Sequence, residues 1–182
     1  AYGLFVNRKL IFKHWLLFLI MGALFVPLGN GLIYVSYIYT TAINGGLVSA
    51  SQPAITVLLT WLLFQELVNW KQCVGIIIAA VGVLSIITQG EPSAILRMEF
   101  NIGDLVMLAA VIFGAFYNVL IRKVPEQISV SQLLVIVLFS GSLITLPFYI
   151  AETLYLRPVP LDLFTVFSIL WVGIAVTAIA VA

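Results

Sequence analysis

Apolar residues occur along this chain in long blocks separated by short polar links, without the alternation that marks a half-buried strand. Six blocks follow an apolar tail at Ala1 to Val6: about Trp15 to Tyr39, Leu47 to Phe64, Cys73 to Ile87, Leu105 to Ile121, Leu133 to Ala151, and Leu163 to at least Ala182. The stretch from Leu47 to Phe64, taken as a helix of about 18 residues, rises about 27 Å, against a hydrocarbon thickness of about 30 Å. Each block is therefore read as one crossing of a bilayer. The links carry independent helix-start signals. Asn69 with Gln72, Asn101 with Asp104 and Ser129 with Gln132 each place a capping side chain three residues before a group that reaches back to it.

Helix breakers interrupt the first two blocks. Pro27 and the triplet Gly29, Asn30, Gly31 interrupt the first near its middle, and Pro53 sits early in the second. Such breaks free backbone carbonyls, which a membrane tolerates only where protein or water supplies a partner.

Composition agrees with the pattern. Of 182 residues, 63% are hydrophobic and 8% charged, where soluble domains carry roughly 45–50% and about 25%; mean hydropathy is +1.22. The expected class is an all-α integral membrane protein, and the short alternating strands of a β-barrel are missing. A net charge of +1 with scattered basic residues gives no nucleic-acid footprint. In alternate links Arg8, Lys9, Lys13, Lys71, Arg122 and Lys123 fall on one side, and Arg97 and Arg157 on the other, which predicts that the first set is cytoplasmic. Glu66 then lies at a cytoplasmic interface, where a charge costs little. The single Cys73 excludes an internal disulfide. The chain opens without methionine and closes inside an apolar block, so it reads as a piece of a longer protein.

No charged side chain falls in the middle of a block, but the uncharged polar residues are ordered. Asn30, Tyr34, Tyr37 and Thr41 share one helix face, and Ser49, Gln52, Thr56 and Thr60 share another. The expectation is that these two stripes wall a polar cavity, to which Tyr117 and Asn118 add groups one turn beyond Gly114. Ser142, Thr145 and Tyr149 form a shorter row. The bland reading, hydrogen bonding between helices, stands for any single Ser or Thr; for Asn30, Gln52 and Asn118, packing and lining a wet cavity are both open. Gly75, Ala79 and Gly82 form a small-residue face expected to admit a neighbouring helix closely. His14 stands at an interface with no second ligand at helical spacing, and no Gly-x-Ser-x-Gly, His-Glu-x-x-His or Walker pattern occurs. No metal, cofactor or enzyme chemistry is expected.

The segment TTAINGGLVSASQPAITVLLTWLLFQELVNWKQCVGIIIAAVGVL, with Ala42, Pro53, Glu66, Gln72, Gly75 and Gly82 in order, resembles the drug/metabolite transporter superfamily of the EamA type. GDLVMLAAVIFGAFYNVLIRK, opened by Gly103 and Asp104 and closed by Arg122 and Lys123, is similar to the same family. It departs at Gly114, where related sequences commonly carry tryptophan, a change that would widen the cavity or alter the substrate. The resemblance implies ten helices in two inverted five-helix repeats. Residues 1–89 would be the C-terminal part of the first, residues 102–182 the N-terminal part of the second, and Gln89 to Asn101 the junction. It further implies a multi-pass inner-membrane exporter of small metabolites such as amino acids or related amphiphiles, working by alternating access on a substrate held by Asn30, Tyr34, Tyr37, Ser49, Gln52, Tyr117 and Asn118. A homodimer is left open. So is proton coupling, for which Glu66 is the visible acid, although a structural cap is the simpler role for it. The rival expectation is a membrane-embedded binding or assembly subunit that moves no solute.

Overall fold

A computed structural model describes residues 8–65, 69–87, 101–155 and 162–171. The tail at Ala1 to Val6, Glu66, Arg97, Arg157, the junction from Gln89 to residue 100 and the chain after Trp171 lie outside the described residues. The helices are α1 (Arg8–Lys13), α2 (Trp15–Phe25), a π-helical segment (Val26–Gly31), α3 (Leu32–Ser36), α4 (Ala42–Ser49), α5 (Gln52–Phe64), α6 (Trp70–Ile87), α7 (Ile102–Leu120), α8 (Val130–Tyr155) and α9 (Leu163–Leu170). Four stretches, Trp15–Ser36, Ala42–Phe64, Ile102–Lys123 and Val130–Tyr155, are long and apolar enough to cross a membrane. The protein is an all-α, multi-spanning membrane protein.

All three capping pairs form. Asn101 and Asp104 complete a reciprocal box. The N–H groups of Ser129 and Asn69 each donate at 3.1 Å to the side chain of the glutamine three residues on, Gln132 and Gln72. Helix bounds differ from the hydropathy blocks where capping, invisible to hydropathy, decides them. The second crossing starts at Ala42, before the expected Leu47, because Thr41 is extended and its hydroxyl accepts from the Asn44 N–H at 3.3 Å. The third helix likewise starts at Trp70, before the expected Cys73, and the first crossing ends at Ser36, short of Tyr39. α8 outruns its block at both ends and continues through Pro147. Asp162 caps α9: bonds from Thr165 hold its exposed carboxyl below the usual carboxylate range, so this cap is present at neutral pH and is lost as pH falls through that lowered value.

α2 and α8 pack around Phe18, Met21, Leu133 and Val137, closed at one end by Ile128. Their backbones meet at two glycines. A Cβ added at Gly22 would lie 2.7 Å from the Gly141 nitrogen, and one at Gly141 would lie 2.7 Å from the Gly22 oxygen. The Ser140 hydroxyl seals the crossing by donating to the Phe18 carbonyl at 3.1 Å. Lipid is as apolar as leucine, so close approach of this kind, with polar bonds across it, is what associates helices in a bilayer.

α7 is the hub. It packs on α2, the π-helical segment, α3, α4 and α5, and its buried face runs through Gly103, Asp104, Met107, Ala110, Val111, Ala115 and Val119. The expectation for Gly75 and Gly82 is not met among the described residues: a Cβ at either meets nothing within 4 Å. α6 packs along α4, and glycines that bring two backbones close are Gly22, Gly141 and Gly103.

Gly22→Val is expected to cost about 1–3 kcal/mol by overpacking, whereas Gly82→Ala leaves stability level or raises it by up to about 1 kcal/mol through helix propensity. Thermal unfolding of the purified protein checks both; equal losses at the two positions would mean that the α6 face is packed after all.

Candidate functional site

The break in the first crossing is built by Pro27. It has no N–H for the carbonyl four residues back, and the chain widens to π-helical bonding over Val26–Gly31. Asn30 is exposed, and its amide donates to the Phe25 carbonyl at 2.9 Å, supplying a polar partner inside the break. A Cβ at Gly29 would stand 2.8 Å from the Leu24 carbonyl, so the widened turn requires glycine there. The Phe25 ring packs on Tyr117 of α7 with centroids 4.7 Å apart and planes tilted by 35°. Asn30 and Tyr117 thus both meet Phe25.

The second crossing breaks between α4 and α5. Ser51 turns its hydroxyl back onto the Val48 carbonyl at 2.6 Å, just before Pro53. On either side of this break the polar residues meet α7. The Ser49 hydroxyl points at the Met107 sulfur at 3.6 Å, and Ser36 of α3 approaches the same sulfur at 3.8 Å. The Tyr37 ring covers Gly45, where a Cβ would lie 2.8 Å from the ring and 2.9 Å from the Met107 methyl. The Gln52 amide nitrogen lies 3.0 Å from the position of a Cβ on Gly114. The room that Gly114 leaves is thus bordered by the Gln52 amide, a contact that sequence reading did not foresee. Thr56 and Thr60 bond back to their own helix, to the Gln52 and Thr56 carbonyls at 2.8 Å.

At the start of α7, Asp104 is 4% exposed. One carboxylate oxygen accepts a short hydrogen bond from the Thr40 hydroxyl. The other accepts from the Asn101 N–H at 2.8 Å and from the Asn44 amide at 3.4 Å. Gly103 allows this seating, since a Cβ there would stand 2.7 Å from the Thr40 nitrogen and 2.8 Å from the Ser36 oxygen. Beside the cluster runs a groove of about 650 Å³, walled by Leu47, Val48 and Ser51 on one side and by Asn101, Ile102, Asp104, Leu105 and Leu108 on the other.

The helices that carry the two predicted stripes all pack against α7. Ser49, Gln52, Tyr37 and Tyr117 touch α7 or the residues packed on it; Tyr34 is 73% exposed, and Asn118 is exposed. None of the seven predicted residues is among those that line the groove. Ser142 and Tyr149 are exposed, and Thr145 bonds back to the Gly141 carbonyl at 2.8 Å. Sequence reading took Asp104 for a local cap and missed Thr40 and Asn44 as its partners. The only signal was an acid at a helix start beside a polar turn, and nothing local ties the two. Among the described residues no group of three or more His, Cys, Asp or Glu side chains gathers as a metal site.

These features define a helical membrane protein with interrupted spans and uncharged polar groups at the breaks. Residues 1–88 match the EamA-like transporter family, so this part of the chain is of the EamA type within the drug/metabolite transporter superfamily. It is 29% identical to the "Uncharacterized transporter YyaM" of Bacillus subtilis over 118 residues, which is 65% of this chain and 39% of that protein. It is 26% identical to the "Uncharacterized transporter sll1164" of Synechocystis over 151 residues, 81% of this chain and 43% of that protein. An "Uncharacterized transporter" of Methanothermobacter thermautotrophicus is 30% identical over 88 residues, 48% of this chain and 26% of that protein. The chain thus spans less than half the length of these relatives. No solved structure matches it.

If Asp104 and Thr40 seat α7 together, Thr40→Val and Asp104→Asn are expected to show a coupling of about 1–3 kcal/mol in a double-mutant cycle of unfolding. Additive effects would mean that Asp104 acts only as a local cap.

Proposed function

We propose that the protein is a transmembrane transporter, an exporter of small metabolites such as amino acids or related amphiphiles, that works by alternating access in the inner membrane. The reading is supported by relatives that are named transporters. The observation that carries it is the pair of interruptions in consecutive crossings, at Val26–Gly31 and at Ser51 to Pro53, each served by a polar side chain. Irregular backbone at membrane depth is tolerated where it is buried in protein or lines a cavity, and discontinuous helices form the binding sites of many transporters. On this reading residues 1–89 and 102–182 belong to two inverted five-helix repeats. The substrate contacts are drawn from Asn30, Tyr34, Tyr37, Ser49, Gln52, Tyr117 and Asn118. Amides supply hydrogen bonds and tyrosine rings supply apolar area. The helix breaks give the two repeats places to flex.

Efflux or counterflow with the full-length protein in proteoliposomes tests this. The expected outcome is flux of at least one amino acid or amphiphile, and Gln52→Ala is expected to reduce flux more than it reduces folded yield. Binding without flux across a broad metabolite panel would favour a membrane-embedded binding or assembly subunit. Equal losses of flux and yield in Gln52→Ala would make Gln52 a packing residue beside Gly114.

A further inference from the structure

The groove beside Asp104 combines an apolar trough with a buried acid whose three donors are all neutral. Thr40 gives a hydroxyl, Asn44 an amide and Asn101 a backbone N–H. An ionised carboxyl group offers about four acceptor positions, so three donors leave one open. A carboxylate that is 4% exposed carries a high desolvation cost unless a positive charge answers it. None of its hydrogen-bond partners carries one, and the positive end of α7, in whose first turn it sits, answers only about half a charge. The groove's volume of about 650 Å³ falls within the roughly 300–1,000 Å³ of small-molecule sites. Leu47, Val48, Leu105 and Leu108 give it hydrocarbon walls, and the polar lining consists of Ser51, Asn101 and Asp104.

We propose that this groove binds an amphiphilic organic amine, with its ammonium group on the Asp104 carboxylate and its apolar tail along Leu105 and Leu108. The charge decides the class. An anion would be repelled by Asp104, a neutral amphiphile would add no positive charge to the partial charge of the helix end, and a hydrated metal ion would find one carboxylate among apolar walls. An ammonium supplies the missing positive charge and a donor for the open acceptor position, while its chain covers the trough. The site lies at the turn joining α3 to α4 and at the start of α7, the end opposite Lys71, Arg122 and Lys123, and so is placed where a substrate would enter or leave on the non-cytoplasmic side. This deepens the transporter reading by naming a substrate class and rests on it for that physiological meaning, whereas the binding itself needs no flux.

The test is equilibrium binding of n-hexylamine, which is protonated at neutral pH, and of n-hexanol to the full-length protein in nanodiscs. The amine is expected to bind at least about tenfold more tightly than the alcohol, and Asp104→Asn is expected to erase that preference. Equal affinities in the unmodified protein, or a preference that survives Asp104→Asn, would overturn the proposal. Leu108→Trp fills the trough and leaves the bonds to Thr40, Asn44 and Asn101 in place, so it decides the matter if Asp104→Asn does not fold. It is expected to weaken both ligands at least about tenfold, and unchanged binding would place them elsewhere. Amine binding without any flux would retain this site and reject transport; flux of other solutes without amine preference would do the reverse.

Discussion

The helix arrangement depends on how the first turn of α7 is seated. In lipid there is little hydrophobic force to press one helix on another, so register falls to polar bonds and close backbone approach. At α7 both act in adjacent residues: Gly103 lets its backbone reach the turn after α3, and Asp104 takes bonds from Thr40, Asn44 and Asn101. The helix that follows carries small or narrow residues on its buried face, among them Ala110, Val111 and Ala115. α3, α4 and α5 can therefore gather along it. Moving α7 by one residue would turn Asp104 away from its donors and leave a buried acid unpaired, a far larger cost than repacking an apolar contact.

That seating gives meaning to the two interruptions. A proline in a crossing helix withholds one N–H, and in a dry medium the orphaned carbonyls need substitutes. Here the substitutes are short and local. The Asn30 amide serves Phe25, and the Ser51 hydroxyl serves Val48. Both breaks lie in helices that pack on α7, so polar groups collect along one helix without a charged residue at mid-membrane.

Much of this was legible in the residues. The capping pairs at Asn69, Asn101 and Ser129 are local chemistry, and all three formed where the spacing put them. Pro27 and Pro53 marked real breaks for the same reason. What sequence could not supply was the choice of neighbours. Gly75 and Gly82 have the spacing of a packing face as Gly22 does, yet only Gly22 meets another backbone, on Gly141. Hydropathy does not separate a lipid-facing residue from one that faces protein. The link between Asp104 and Thr40 spans 64 positions of chain, and the contact of Gln52 with Gly114 depends on which faces of α5 and α7 meet. Neither distance has a local signature.

The polar face around Ser49 is turned onto α7 at Met107. Cysteines placed by Ser49→Cys and Met107→Cys in a Cys73→Ala background test it most directly, by oxidative cross-linking of the folded full-length protein in membranes. A rapid intramolecular cross-link for this pair, with none when Met107→Cys is combined with Leu58→Cys on the exposed side of α5, is the predicted result. Folded protein in which Ser49→Cys and Met107→Cys fail to link, or in which the Leu58→Cys pair links as readily, would mean that this face is turned away from α7.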